Sequence, residues 1–197
     1  ADSSTSRTIM WQSAYAEKGA AVEYRAAGAE DTLTIPAADT ELNDDGTVTY
    51  IHSAAITGLT PGGSYEYRVG YTDRRSEWFP LKTAAGSTFK ALIFPDSQSA
   101  DYGVWKNTAM PAWERNKDAQ FFINIGDLVD NGQSGYQWNA WFEGCEDMIR
   151  QIPLVPLDGN HEMYDLNWQM HLPVSYTALF DLPKNGLPEY PNQFYSF

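Results

Sequence analysis

The chain is poor in cysteine, in basic residues, in histidine and in long apolar runs, and each shortage closes off a class. Its single cysteine, Cys145, excludes an intrachain disulfide framework and any cysteine-rich zinc module. Lys and Arg number 13 against 26 Asp and Glu, for a formal charge of −13, so a nucleic-acid backbone would be repelled rather than steered in. No apolar run approaches the ~18–20 residues of a bilayer span, so no membrane partner is expected. The histidines are only His52, His161 and His171. Aromatics are abundant instead, at 14% with 7 Trp and 12 Tyr, within a 43% apolar composition, which marks a packed chain and not a disordered one. A length of 197 residues accommodates one large domain or two small ones. The opening Ala1-Asp2-Ser3-Ser4-Thr5-Ser6 has neither the basic start nor the apolar centre of a signal peptide.

Two rhythms follow one another along the chain. Residues 1–86 read as short alternating strands separated by turns: 8–13, 21–25, 32–35 stopped by Pro36, 47–56 after Asn43-Asp44-Asp45-Gly46, 65–69 after Thr60-Pro61-Gly62-Gly63, and 77–83. Six short strands at this spacing predict an all-β sandwich. His52 falls on one of them and reads as structural. Ala84-Ala85-Gly86-Ser87 reads as a linker. Beyond it, 89–94 predicts a strand, and 101–116 a helix that Pro111 kinks or splits. The apolar run 121–125 fits a strand of a sheet covered on both faces. Ser134 to Gln137 has capping-box spacing before an apolar helical face through Trp138, Trp141, Phe142, Cys145 and Met148. Residues 152–157 predict a third strand, giving β-α-β-α-β and a parallel α/β sheet. The alternating aromatics of 190–197 read as entry into a further strand.

Polar clusters directly follow the three strands of the second half: Asp96-Ser97-Gln98, Gly126-Asp127-Leu128-Val129-Asp130-Asn131-Gly132 and Asp158-Gly159-Asn160-His161-Glu162. A parallel sheet carries such segments to one carboxyl edge, where open α/β sheets bind ligands. Carboxylate and amide oxygens gathered there suit hard or borderline cations.

The arrangement Asp96-x-Gln98, Gly126-Asp127-x-x-Asp130 and Gly159-Asn160-His161-Glu162 resembles the calcineurin-like metallophosphoesterases. The strand-rich half before it is similar to the N-terminal domain of purple acid phosphatases. Its Leu59 to Val69 segment resembles the lead into a late strand of fibronectin type III-like domains, with Tyr65 in the corner position. The resemblance implies a multidomain chain: a fibronectin III-like sandwich over 1–86, then the N-terminal half of an αββα-type metallophosphoesterase domain over 87–197, incomplete at its C-terminus. It implies two metal ions, of Fe, Mn or Zn, held by Asp96, Gln98, Asp127 and Asn160, with Asp127 bridging. His161 would act on the leaving oxygen, and Asp130 would accept from His161 and fix its ring. It further implies hydrolysis of phosphomonoesters or phosphodiesters by a metal-bridged hydroxide, and a secreted, periplasmic or cell-surface location.

The chain also departs from that family. Most relatives have His where Gln98 stands, and an amide is a weaker, oxygen-first ligand. Protein phosphatases of the superfamily have Arg where Asn131 stands, so one phosphate-clamping guanidinium is missing. A late Gly-His-x-His has no counterpart among the three histidines. The expectation is therefore the N-terminal part of a longer enzyme; the alternative is a non-catalytic interaction module with a vestigial site. Purple enzymes place a tyrosine at the position of Asp130, and its absence removes the tyrosinate–iron chromophore. The metal-loaded protein is expected to be colourless, which a visible absorption spectrum checks.

Overall fold

In the computed structural model, residues 2–16, 18–190 and 192–196 are described. The chain divides into two units: Ala1–Asn43, Val48–Ser87 and Asp181–Phe197 form one, and Asp44–Thr47 with Thr88–Phe180 form the other.

The first unit is built from β1 (Ser6–Ser13), β2 (Ala21–Ala26), β3 (Leu33–Pro36), β4 (Ala38–Leu42), β5 (Thr49–Thr57), β6 (Ser64–Tyr71), β7 (Arg74–Arg75) and β8 (Phe79–Lys82). One sheet has the order β1-β5-β4; the other runs β3-β2-β6, with β7 and β8 both paired to β6. All pairings are antiparallel. The inward side chains Ile9, Val22, Ile56, Tyr67 and Leu81 come from both sheets and form one core, so this is a two-layer sandwich. Two strands escaped the sequence reading. β4 is polar and almost wholly exposed, so it carries no hydrophobic alternation. It follows β3 after the single residue Ala37, and the chain changes sheets there. β7 is only two residues long.

His52 is 1% exposed and lies in a cross-strand row, opposite Trp11 on β1 and Asp39 on β4. Its Nδ1 is 2.6 Å from Asp39 Oδ1, and its Nε2 is 2.8 Å from Ser13 Oγ and 3.0 Å from the Tyr71 hydroxyl. The Ser13 hydroxyl lies 2.9 Å from the Tyr15 carbonyl, to which it donates. Both ring nitrogens are therefore bonded, which is what burying an imidazole requires.

Tyr65 folds back so that its hydroxyl accepts from the Thr60 N–H at 2.9 Å. Gly63 permits this, because a Cβ there would come within 2.6 Å of the Tyr65 ring and 2.9 Å of the Thr60 carbonyl oxygen.

The second unit contains β9 (Ala91–Pro95), α1 (Tyr102–Glu114), β10 (Phe121–Ile125), α2 (Gly135–Gly144), α3 (Glu146–Ile149), β11 (Leu154–Leu157), a 3₁₀ turn over His161–Met163, and α4 (Val174–Leu179). The three strands are parallel in the order β11-β10-β9. α1 runs through Pro111 without splitting and is capped by Asp101, whose side chain accepts from the Gly103 N–H. On α2, Ser134 accepts from the Gln137 N–H, but Gln137 Oε1 turns to the Asn131 N–H at 2.7 Å, so only one arm of the capping box forms. Trp105 and Trp141 stack at 5.6 Å, and Phe94 meets Trp105 edge-on, which joins both helices to β9. Cys145 is buried on the same apolar face; burial pushes its thiol well above the ordinary range and leaves it inert.

On the sheet's other side Ile93, Ile125 and Leu157, one from each strand, are 57%, 50% and 41% exposed. The cover on both faces that the apolar runs predict is thus present on one face among the described residues.

The strand expected over 190–197 does not form among its described residues, which make a turn instead; Pro191 and Phe197 lie outside them. The Asn185 side chain takes the place of a partner strand: its amide nitrogen donates to the Ser196 carbonyl at 2.8 Å and its Oδ1 accepts from the Ser196 N–H at 3.0 Å.

Tyr65→Phe removes one hydrogen bond while keeping the ring. The sandwich is expected to lose about 1 kcal/mol, read from the urea unfolding midpoint.

Candidate metal and phosphoester site

Ile125 at the end of β10 is level with Pro95 on one side and Leu157 on the other. The three polar clusters therefore leave the sheet at one edge. Asp96 and Asp127 follow their strands with φ of 42° and 49°, in the left-handed region that residues other than glycine, asparagine and aspartate rarely enter. Such a backbone ends the extended run abruptly and is sustained only where surrounding contacts hold it, a pattern concentrated at functional sites.

At Asp127 the contacts that hold it are concentrated on Glu162. This carboxylate is fully buried and accepts from four backbone N–H groups: Asp127 at 2.9 Å, Leu128 at 2.8 Å, Val129 at 3.2 Å and Gly159 at 2.7 Å. Three successive N–H groups converging on an anion form a nest, here filled by the protein's own side chain. Burial pushes the Glu162 carboxyl above its ordinary range, the N–H donors pull it back, and the nearby charge of Asp127 adds to the push. The two motif glycines serve the same closure. A Cβ on Gly126 would crowd the Gly159 backbone at 3.2 Å, and a Cβ on Gly159 would overlap Asp127 Oδ1. The Asp127 carboxylate also accepts from the His161 N–H at 3.1 Å, and the Gln98 N–H bonds to the Asp127 carbonyl at 3.0 Å. Asp127 thus touches both the Gln98 and the His161 segments.

Ser97 ties the first cluster down from below. Its buried hydroxyl accepts from Asn124 Nδ2 at 2.7 Å and Trp141 Nε1 at 2.8 Å, and donates to the Leu128 carbonyl at 3.3 Å. Gln98 beside it is half-buried, and its Oε1 is enclosed with no hydrogen-bond partner. A buried acceptor oxygen left unpaired is costly in protein but is what a cation satisfies, so the donor set fits a metal at this edge. Asn160 is exposed at the same edge. Among the described residues no three His, Cys, Asp or Glu side chains group closely enough to hold a metal. The candidate ligands of this segment are accordingly two carboxylates and two amides.

His161 Nδ1 lies 2.7 Å from the backbone carbonyl of Asp130 and 3.5 Å from its carboxylate. The short bond is to a carbonyl, which can only accept, so Nδ1 carries a hydrogen and Nε2 is the position that can gain or release a proton. Asp130 itself is fixed by its N–H, which donates to the Tyr102 hydroxyl at 3.2 Å. Burial raises that phenol to about 12, so it stays protonated. Asn131, at the position where some relatives have Arg, is buried: its Nδ2 donates to the Asp165 carbonyl and its Oδ1 accepts from the Gln133 N–H. Trp138 is buried, as its place on the apolar helical face requires, and donates from Nε1 to the Gly132 carbonyl, whereas Tyr136 is 80% exposed.

Parallel strands ending in these three turns, preceded in the chain by a β-sandwich, match metallophosphoesterases that carry an additional N-terminal domain. The chain belongs to the calcineurin-like phosphoesterase family, whose model matches residues 96–195, and residues 1–83 match the model for the purple acid phosphatase N-terminal domain. Purple acid phosphatase 15 of Arabidopsis thaliana is 25% identical over 186 residues, covering 78% of this chain and 34% of that protein. Acid phosphatase type 7 of Mus musculus is 25% identical over 146 residues, covering 68% of this chain and 30% of that protein. The chain thus spans about a third of the length of these relatives. Among solved structures, the purple acid phosphatase PPD1 from yellow lupin seeds has the same fold, with a TM-score of 0.78 at 18% identity over 92% of this chain and 39% of that one.

Sequence reasoning passed over Glu162, assigning it no role. Its signal was its place in Gly159-Asn160-His161-Glu162, but only the fold reveals the N–H groups it gathers. Glu162→Ala strands four N–H donors and is expected to cost at least about 3 kcal/mol of stability, with Glu162→Gln intermediate because it keeps one acceptor oxygen. Chemical denaturation of the full-length protein measures both.

Proposed function

We propose that this chain carries part of the centre of a metal-dependent phosphoric-ester hydrolase acting on phosphomonoesters or phosphodiesters. The observation that carries the reading is the pair of left-handed aspartates, Asp96 and Asp127, at level ends of neighbouring parallel strands, with His161 bonded to the second. Asp96, Gln98, Asp127 and Asn160 would hold two metal ions. A pair of such cations supplies Lewis-acid polarisation of the phosphate and activation of water at neutral pH.

The residues of this chain have separate tasks. Glu162 holds the turns at 127–129 and 159 at fixed separation. Asp130, through its carbonyl, keeps His161 in the Nδ1–H form. His161 then delivers a proton from Nε2 to the leaving oxygen as the phosphorus–oxygen bond breaks and the oxygen of water bonds to phosphorus. Such donation requires the imidazolium form. An exported location is part of the same reading, supported by the resemblance to purple acid phosphatases.

The test uses full-length protein with Fe, Mn or Zn and p-nitrophenyl phosphate or its bis ester. Asp127→Asn and His161→Ala are each expected to lower kcat/KM by at least about 100-fold. Gln98→Ala is expected to weaken metal binding about tenfold, read by calorimetry. Unchanged turnover in both Asp127→Asn and His161→Ala would overturn the mechanism and favour the interaction-module alternative.

A further inference from the structure

The geometry points to an aromatic subsite beside His161, in which Tyr164 and Trp168 form a fixed ring pair that receives the planar leaving group of an aryl phosphoester. The inference rests on the hydrolase reading above and deepens it by naming a substrate class. Both rings meet the His161 imidazole edge-on, with centroids at 5.5 Å for Tyr164 and 6.4 Å for Trp168 and interplanar angles of 89° and 90°. They contact each other at 5.6 Å. An aromatic surface therefore adjoins the imidazole that would serve the leaving oxygen.

The pair is preorganised. Asp165 accepts from the N–H groups of Asn167 and Gln169 at 2.8 Å each, and the Trp168 N–H bonds to the Asp165 carbonyl at 2.9 Å. A bridge between Tyr164 and Met170 closes the turn. Asn131 Nδ2 and Gln133 anchor it to the loop that follows Asp130: Gln133 N–H donates to the Tyr164 carbonyl at 3.2 Å, and Gln133 Oε1 accepts from the Leu166 N–H at 3.0 Å.

Holding His161 in place does not account for Trp168. Its backbone has a φ of 60°, unfavourable for a bulky residue, and its side chain remains 54% exposed. Leu166 and Met170 beside it are 52% and 66% exposed. A rigid, wet, apolar surface adjoining the reacting centre suits a flat uncharged ring, which it can stack against or meet edge-on. A polyol or other alkyl leaving group gains little from it.

The experiment compares phenyl phosphate with glycerol phosphate in the full-length metal-loaded enzyme, for wild type, Trp168→Asn and Trp168→Phe. Asparagine tolerates the left-handed backbone and removes the ring. The aryl-to-alkyl ratio of kcat/KM is expected to fall about 3- to 10-fold in Trp168→Asn, mainly through KM, and to recover in Trp168→Phe. Calorimetric titration with phenylphosphonate and methylphosphonate is expected to show wild type preferring the phenyl compound and Trp168→Asn losing that preference. Equal losses on both substrates, or no change in the ratio and in the phosphonate preference, overturns the subsite. If instead Asp127→Asn leaves turnover intact, the hydrolase reading fails, and the phosphonate preference still reports on the ring pair by itself.

Discussion

The Glu162 carboxylate, buried among four backbone N–H groups, is the interaction on which the candidate centre depends. Those N–H groups belong to segments that leave two different strands. Without a shared acceptor each would need water, and each would lose the sharp geometry that follows its strand. One ion inside the fold therefore replaces solvent for two loops at once. A single side chain thereby links the two loops, alongside the bond from the His161 N–H to the Asp127 carboxylate.

Beneath those turns the support is aromatic and hydroxylic. Ser97 joins β9 to the Asp127 loop and to Trp141 of α2, and Trp138 of α2 holds the Gly132 carbonyl. The tryptophans thus pack the sheet while their Nε1–H groups satisfy loop oxygens, which a purely aliphatic core cannot do. The same logic operates in the sandwich, where His52 is buried between two strands only because Asp39, Ser13 and Tyr71 occupy both ring nitrogens.

Much of this was legible in the sequence. The strands of the second half and the buried face of α2 follow from apolar runs and a helical spacing. The three polar clusters could be assigned to one sheet edge because parallel strands share a direction. What escaped has specific causes. β4 is an exposed polar strand held by pairing alone, so it has no hydrophobic signature. The expected strand near the last described residues met Asn185, whose amide imitates a strand edge. Gln137 has the right spacing for a capping box, yet its oxygen is drawn to Asn131, a preference that local spacing cannot express.

The sequence by itself determined the composition limits, the order of elements and the chemical types available at the edge: carboxylates, amides and one imidazole. These are local or periodic properties, written in consecutive residues. Only the tertiary structure decided that Asp96 and Asp127 adopt left-handed backbones, that Asp130 acts on His161 through its carbonyl at 2.7 Å, and that Glu162 faces inward. Each of those depends on which distant N–H, carbonyl or ring comes within about 3–6 Å. Residues some 30 apart in sequence reach that range only after the sheet and its covering helices have fixed the directions of their chains.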